Sequence, residues 1–265
     1  MAGDFGLKGR VALVTGGSRG IGRATSLMLA EQGVSIALCG RTRDSLEETA
    51  ADIRKFGVEA WPIIADVCNY DDIRRFVAEA ATAAGRIDIL VNNAVASLSA
   101  PFDEQTDEHW RHHVDVKLMA YIRCAREVLV HMKPRRWGRI VNIGGMTARI
   151  VAPLRITNGV VNAGVSNFTK QLANQVGPFN VTVNCVHPGY TATERMMQNF
   201  HRRARDAGVS VEEISKETIA EIPLGRLIEP RDLAASVLFF CSPLADVVTG
   251  QVFAVDGGSG LSVNY

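Results

Sequence analysis

Eight consecutive residues, Thr15-Gly16-Gly17-Ser18-Arg19-Gly20-Ile21-Gly22, have types and spacing suited to holding a phosphate. Glycine lets the main chain approach a pyrophosphate closely, and free N–H groups at the positive end of a helix favour its negative charge. A glycine-rich turn alone is weak information, because glycines also mark ordinary turns. Here an apolar run, residues 11–14, leads into the turn and a helical pattern, residues 24–32, leads out. Strand, turn and helix N-terminus therefore agree, and the stretch reads as a dinucleotide site.

Other chemically capable groups are sparser. His109 and His113 stand at i, i+4, a spacing that clamps a metal on one helix face, but no third ligand is apparent. Helix-face histidines are the plainer reading, and no metal site is expected. Cys39, Cys68, Cys124, Cys185 and Cys241 are scattered singly in apolar runs, without a C-x-x-C pair. That pattern points to buried, reduced thiols in a cytoplasmic protein.

The elements that must position these groups alternate along the chain. Apolar runs at 34–39, 60–65, 87–91, 139–143, 180–186 and 251–255 read as further buried strands. Helical patterns lie at 44–56, 71–84, 107–133, 157–177 and 232–241. Strand and helix in alternation imply a parallel sheet covered on both faces. Residues 191–223 are polar and partly helical, and the stretch 190–223 reads as a lid over the ends of the strands. The 265 residues, read as one domain over 1–265, carry 29 basic and 28 acidic side chains. A net charge of +1 argues against a nucleic-acid partner, and no apolar stretch reaches membrane-spanning length.

Thr15 to Gly22, Asp66-Val67, Asn92-Asn93-Ala94, Val141-Asn142-Ile143, Asn184 with Pro188-Gly189, and Asp256-Gly257-Gly258 follow one another in order. Together they make the chain resemble the short-chain dehydrogenase/reductase family over nearly its whole length. The resemblance implies one Rossmann-like α/β domain with a seven-stranded parallel sheet, its ligand lying beyond the carboxyl ends of the strands. It also implies a homodimer or homotetramer formed through the two long helices. For the cofactor, Gly16, Ser18, Gly20, Ile21 and Gly22 would cradle phosphates. Asp66 and Val67 would meet the adenine, Asn92 and Ala94 the adenosine ribose, and Pro188, Gly189 and Thr191 the nicotinamide. A carboxylate at the end of the second strand marks NAD binders, whereas NADP needs a cation there. This chain has Gly40 followed by Arg41, with Arg19 as a second cation, so the expected cofactor is NADP(H).

Members of the family reduce carbonyls with a Tyr whose pKa is lowered by a Lys four residues on, helped by a Ser and an Asn. No Tyr-x-x-x-Lys occurs in this sequence. By the family's spacing, Asn158 takes the Tyr position, Asn162 the Lys position, Gly145 the Ser position and Lys117 the Asn position. An amide donates no proton at neutral pH, so Asn158 does not replace the phenol. Lys117 is the first candidate for a relocated donor, because desolvation beside a cation depresses a lysine pKa. His187, Tyr190, Arg155 and Thr157 are the others. The expected function is an NADP(H)-dependent oxidoreductase acting on a small carbonyl, hydroxy or enone compound through an atypical site. Two alternatives stay open: a non-redox lyase or hydratase on the same fold, and an inactive NADP(H)-binding subunit.

Overall fold

The computed structural model describes residues 5–261. Tyr265, the last tyrosine of the chain, lies outside them.

Seven parallel strands form one sheet: β1 (Val11–Thr15), β2 (Ser35–Gly40), β3 (Ala60–Ile64), β4 (Ile89–Asn92), β5 (Gly138–Ile143), β6 (Val181–Pro188) and β7 (Val252–Val255). Their spatial order is β3-β2-β1-β4-β5-β6-β7. Every residue of β1, β4 and β5 is buried, which is why these strands read as unbroken apolar runs rather than alternating ones. Pro62 cannot donate to a ladder and lies in β3, at an edge of the sheet.

Helices α1 (Gly20–Ala30), α2 (Arg43–Arg54) and α3 (Tyr70–Ala84) follow the first three strands. Then come α4 (Asp107–His113), α5 (Ala120–Arg135), α6 (Ile156–Val176), α7 (Glu194–Ala207), α8 (Val211–Ala220) and α9 (Pro230–Cys241). One core packs α3, α5 and α6 on the sheet through residues such as Phe76, Val128 and Val165. The other packs α1, α2 and α9 on the opposite face through Leu29, Ile53 and Val237. Each such fully buried aliphatic side chain stabilises the fold by about 1.5–3 kcal/mol. The chain leaves β1 toward β2 on one side and returns to β4 on the other. The crevice beyond the ends of β1 and β4 is therefore the topological switch point.

The single long helix expected over 107–133 is resolved into three pieces. Between α4 and α5 the turns widen into a π-helix, Val114–Met119, and Lys117 lies within it. Such local widening often accompanies function. Two of the three histidines of α4, His109 and His113, serve the helix itself. His109 Nδ1 accepts from the Thr106 N–H in a capping box, and His113 Nδ1 lies 2.9 Å from the His109 carbonyl. Among the described residues no cluster of three metal-ligating side chains occurs. The five cysteines are free and four are buried; Cys68 is partly exposed, because it follows Asp66-Val67 in a loop and not in a strand. Among the described residues no helix is long and apolar enough to cross a membrane.

Candidate active site

The glycine-rich turn is held open by Thr15 and Asn93, two residues of the sequence motifs to which spacing alone assigned no role. Thr15 Oγ1 accepts from the N–H groups of Asn93 and Ala94 at 2.9 and 3.1 Å. Asn93 Nδ2 donates to the carbonyls of Thr15 and Gly16 at 3.1 and 3.0 Å. These four bonds tie the end of β1 to the end of β4 and fix where Gly16 can lie. Gly16 itself has φ +63°, and a Cβ on Gly22 would come within 2.2 Å of the Gly16 carbonyl. Glycine is thus required at both positions.

Helix α1 starts without a capping side chain and without an acidic residue in its first turn. Its orphan N–H groups and positive dipole end remain available for an anion. Four other helices have capped starts, Asn69 on α3, Thr106 on α4, Thr193 on α7 and Ser210 on α8, whereas α2 and α6, like α1, have no capping side chain. Arg41 is exposed just past β2, and Arg19 is exposed at the turn with Glu194 3.9 Å away. The Ser18 carbonyl is anchored by the Thr49 hydroxyl at 3.1 Å. Asp66 Oδ1 accepts from the Cys68 N–H at 3.0 Å, which shapes the loop after β3, and Val67 is buried beside it. A pyrophosphate and a phosphorylated ribose fit this set: an open cradle, an uncapped helix end and two cations without a carboxylate at the end of β2.

Beyond β5 a second group gathers. Lys117 is 6% exposed, and its Nζ donates to the Gly144 carbonyl at 2.8 Å. Desolvation lowers its pKa from 10.5 to about 7, and the charge of Arg195 pushes the same way. Asn162 packs on Gly145 so closely that a Cβ there would meet Asn162 Nδ2 at 2.5 Å. The same Nδ2 donates to Thr147 Oγ1 at 2.8 Å, while Asn162 Oδ1 is buried with no partner. One turn earlier in α6, Asn158 Nδ2 lies 3.4 Å from Ser97 Oγ, and its Oδ1 is likewise buried and unpaired. Two orphan amide oxygens beside one lysine of shifted pKa are what a site for a polar ligand offers.

A family model described as enoyl-(acyl carrier protein) reductase matches residues 16–260. A 3-oxoacyl-[acyl-carrier-protein] reductase from Aquifex aeolicus is 34% identical over 96% of this chain and 99% of its own length. The chain belongs to the short-chain dehydrogenase/reductase family. The NADPH-dependent reductase BacG of Bacillus subtilis is 31% identical, over 96% of this chain and 99% of its own. L-sorbose reductase from Gluconobacter frateurii, solved with NADPH and L-sorbose, superposes with a TM-score of 0.95. It shares 31% identity, over 98% of this chain and all of that one. The all-parallel seven-stranded sheet is the fold these short-chain dehydrogenases/reductases share.

Four expected residues have side chains committed elsewhere. Asn92 is fully buried, donating to Asn142 Oδ1 at 2.9 Å, so its amide braces β4 against β5 instead of facing a ribose. His187 has both ring nitrogens engaged: its Nδ1 accepts from the Gly145 N–H at 2.9 Å and its Nε2 lies 3.1 Å from Ser166 Oγ. Burial, with Arg149 and Lys117 adding to it, lowers its pKa to about 3, so the ring is neutral and props the Gly144-Gly145 turn. A Cβ on Gly144 would meet that ring at 2.2 Å, which explains the glycine. The Tyr190 hydroxyl donates to Glu221 Oε2 at 2.7 Å, and burial with that carboxylate raises its pKa, the wrong direction for an acid near neutrality. Thr191 Oγ1 donates to the Gly189 carbonyl at 3.0 Å, within the bend that follows Pro188. Gly189 is obligatory there, since a Cβ would sit 2.6 Å from the Asp256 Cα. Ala94 contributes backbone alone, its carbonyl accepting from the Tyr121 hydroxyl at 3.3 Å.

Proposed function

We propose that this chain is an NADP(H)-dependent oxidoreductase that reduces a small carbonyl or enone compound, with Lys117 in the role of proton donor. The observation carrying this reading is that an intact phosphate cradle follows β1 while a buried lysine near pKa 7 is bonded to the Gly144 carbonyl just after β5, at the same carboxyl edge of the parallel sheet. The printed names of the relatives, an NADPH-dependent reductase and an NADPH-bound sorbose reductase among them, support the cofactor. Arg41 and Arg19 would hold the ribose phosphate, and the turn and the start of α1 the pyrophosphate.

The chemistry NADPH supplies when bound is hydride transfer. The protein must do the rest. Lys117 Nζ keeps one N–H on the Gly144 carbonyl, which fixes its position and leaves its other donors for a substrate oxygen. With a pKa of about 7 it can both hold and release a proton at working pH, the condition for general acid catalysis. The unpaired Oδ1 atoms of Asn158 and Asn162 would accept from ribose or substrate hydroxyls. Residues 190–223, with α7 and α8, would close over the substrate and exclude water. Exposed Val130 on α5 and Val160 on α6 suit assembly into a homodimer or homotetramer, and a cytoplasmic setting fits the free cysteines.

Loss of NADPH absorbance across a panel of ketones, aldehydes and enones tests the activity, with calorimetric titration of NADPH and NADH alongside. Turnover that disappears in Lys117→Met while NADPH still binds is the expected result. NADPH binding with no turnover of any compound would overturn the reductase reading.

A further inference from the structure

We propose that Tyr121 is a positioning residue for the proton donor: its hydroxyl braces the end of β5, so that the Gly144 carbonyl holds the Lys117 amine in one place. This rests on the reading of Lys117 as the donor and names the residue through which the fold sets it.

Two consecutive carbonyls at the end of β5 lack their sheet partners, for two different reasons. The Gly144 N–H donates to the Val186 carbonyl at 2.8 Å, so residue 144 faces β6. In the register that pairs Ile143 with Val186, the next N–H toward the Gly144 carbonyl belongs to residue 188. That residue is Pro188, which has no N–H to give. Ile143 faces the other way, toward β4, where the ladder would bring it the Ala94 N–H. Ala94 instead donates to Thr15 Oγ1 at 3.1 Å, as part of the anchor of the glycine-rich turn. Buried carbonyls left without a donor are costly.

Side chains from one helical stretch fill both gaps. Lys117 Nζ donates to the Gly144 carbonyl at 2.8 Å, and Tyr121, four residues on, donates to the Ile143 carbonyl at 3.0 Å. The Tyr121 oxygen also lies 3.3 Å from the Ala94 carbonyl, so one hydroxyl spans the place where β4 and β5 part. Tyr121 is fully buried and Lys117 nearly so. Among the described residues Lys117 Nζ has no other hydrogen bond and no carboxylate within 4.0 Å. Its one bond to Gly144 therefore locates the amine, and Tyr121 fixes the residue next to Gly144. Without the hydroxyl, the Ile143 carbonyl becomes a free buried acceptor beside the carbonyl that holds the amine. An acceptor there, or a water drawn to it, favours the charged amine, so the donor becomes a weaker acid and is less firmly placed.

The ionisable groups whose charges couple to Lys117 are His113 of α4, Cys185 and His187 of β6 and Arg195 of α7. Burial holds the Cys185 thiol up at about 12 and the His187 ring down at about 3, and it pushes His113 below its usual 6.5. Burial also keeps the Tyr121 phenol well above its usual value, so its hydrogen stays on the oxygen as a donor.

Tyr121→Phe removes one oxygen and tests this in the full chain. The Lys117 midpoint is read directly, from the lysine side-chain carbon resonance that Lys117→Met lacks. In Tyr121→Phe that midpoint should rise by about one unit. In reduction assays kcat should fall about tenfold with KM within about twofold, and the pH profile of kcat/KM should move up with the midpoint. A midpoint within about 0.3 unit of the wild type overturns the proposal even where stability drops, because Tyr121 then serves packing alone. A shifted midpoint with kcat unchanged overturns it too, since the donor then needs no placing. Should Tyr121→Phe not fold, Tyr121→Met, which refills the space with a flexible side chain, is read in the same way. A shifted midpoint in a protein that turns over no carbonyl compound leaves Tyr121 positioning Lys117 while removing the reductase reading.

Discussion

At the edge where the strands begin, Asp88 is 1% exposed and takes Arg86 in a two-point contact, 2.7 Å at each oxygen. It also accepts from the Val11 N–H at 2.9 Å and meets Arg10 at 3.4 Å. Nearby, the buried Arg139 pairs with Asp246 and stacks on the Trp137 ring, 4.4 Å from its centroid. At the edge where the strands end, Lys117 has one carbonyl, and Arg155 and Arg195 have no side-chain partner among the described residues. The same residue types serve both edges. Where opposite charges are paired in place, they fasten strand to strand and shift nothing useful. Where Lys117 is buried without a counter-ion, desolvation brings its pKa down toward neutrality, a shift common at functional sites.

The contrast is broken most severely at Lys117. Lys117→Met should lower turnover by about a hundred- to ten-thousand-fold while leaving NADPH affinity within error, measured by steady-state rates and calorimetry. Loss of affinity without loss of turnover would move Lys117 out of the chemistry. At the other edge, Asp88→Ala strips Arg86, Arg10 and the Val11 N–H of their acceptor. It should cost about 3 kcal/mol of stability in urea unfolding, with the activity of the folded fraction unchanged. Arg41→Ser tests the cofactor end and should weaken NADPH about ten- to thirtyfold while scarcely affecting NADH, by titration of each. A parallel loss for both would mean that Arg41 meets no phosphate.

The smallest effect is in pH. The folded pKa of Lys117 is about 7 against an ordinary 10.5, so between those values the unfolded chain holds a proton that the folded chain lacks. Raising pH through this window should therefore increase stability from this group, and Lys117→Met should flatten that rise. Activity should run the opposite way, with kcat/KM for reduction falling as pH climbs through about 7, because the donor empties. A profile that is flat between pH 6 and pH 9 in the wild type would contradict the assignment.

The sheet was legible because buried parallel strands leave a continuous apolar trace: residues 11–14 and 139–143 lie on β1 and β5, and 87–91 overlaps β4, which begins two residues later at Ile89. The turn at Gly16 to Gly22 was legible because its chemistry belongs to the backbone, which glycine spacing reports directly. Partners were not. Asn92 and Asn93 are neighbours with the same side chain, yet one amide braces β5 and the other carries the glycine-rich turn. His187 was a candidate proton donor by its place beside Pro188-Gly189, and only the structure shows its ring accepting from the Gly145 N–H. The break of 107–133 into a π-helix left no trace in periodicity, since one extra residue in a turn scarcely changes an apolar pattern.

By itself the sequence determined the alternation of strand and helix, the phosphate cradle, the missing carboxylate after β2 and the absence of any Tyr-x-x-x-Lys. Each of these is local, written in neighbouring residues and in backbone chemistry. Only the tertiary structure decided that Lys117 is buried against the Gly144 carbonyl and that His187 and Tyr190 are hydrogen-bonded to Gly145 and Glu221. Those facts depend on desolvation and on charges many residues apart. A side chain's pKa and its availability are properties of the space around it, and that space exists only once the chain has closed.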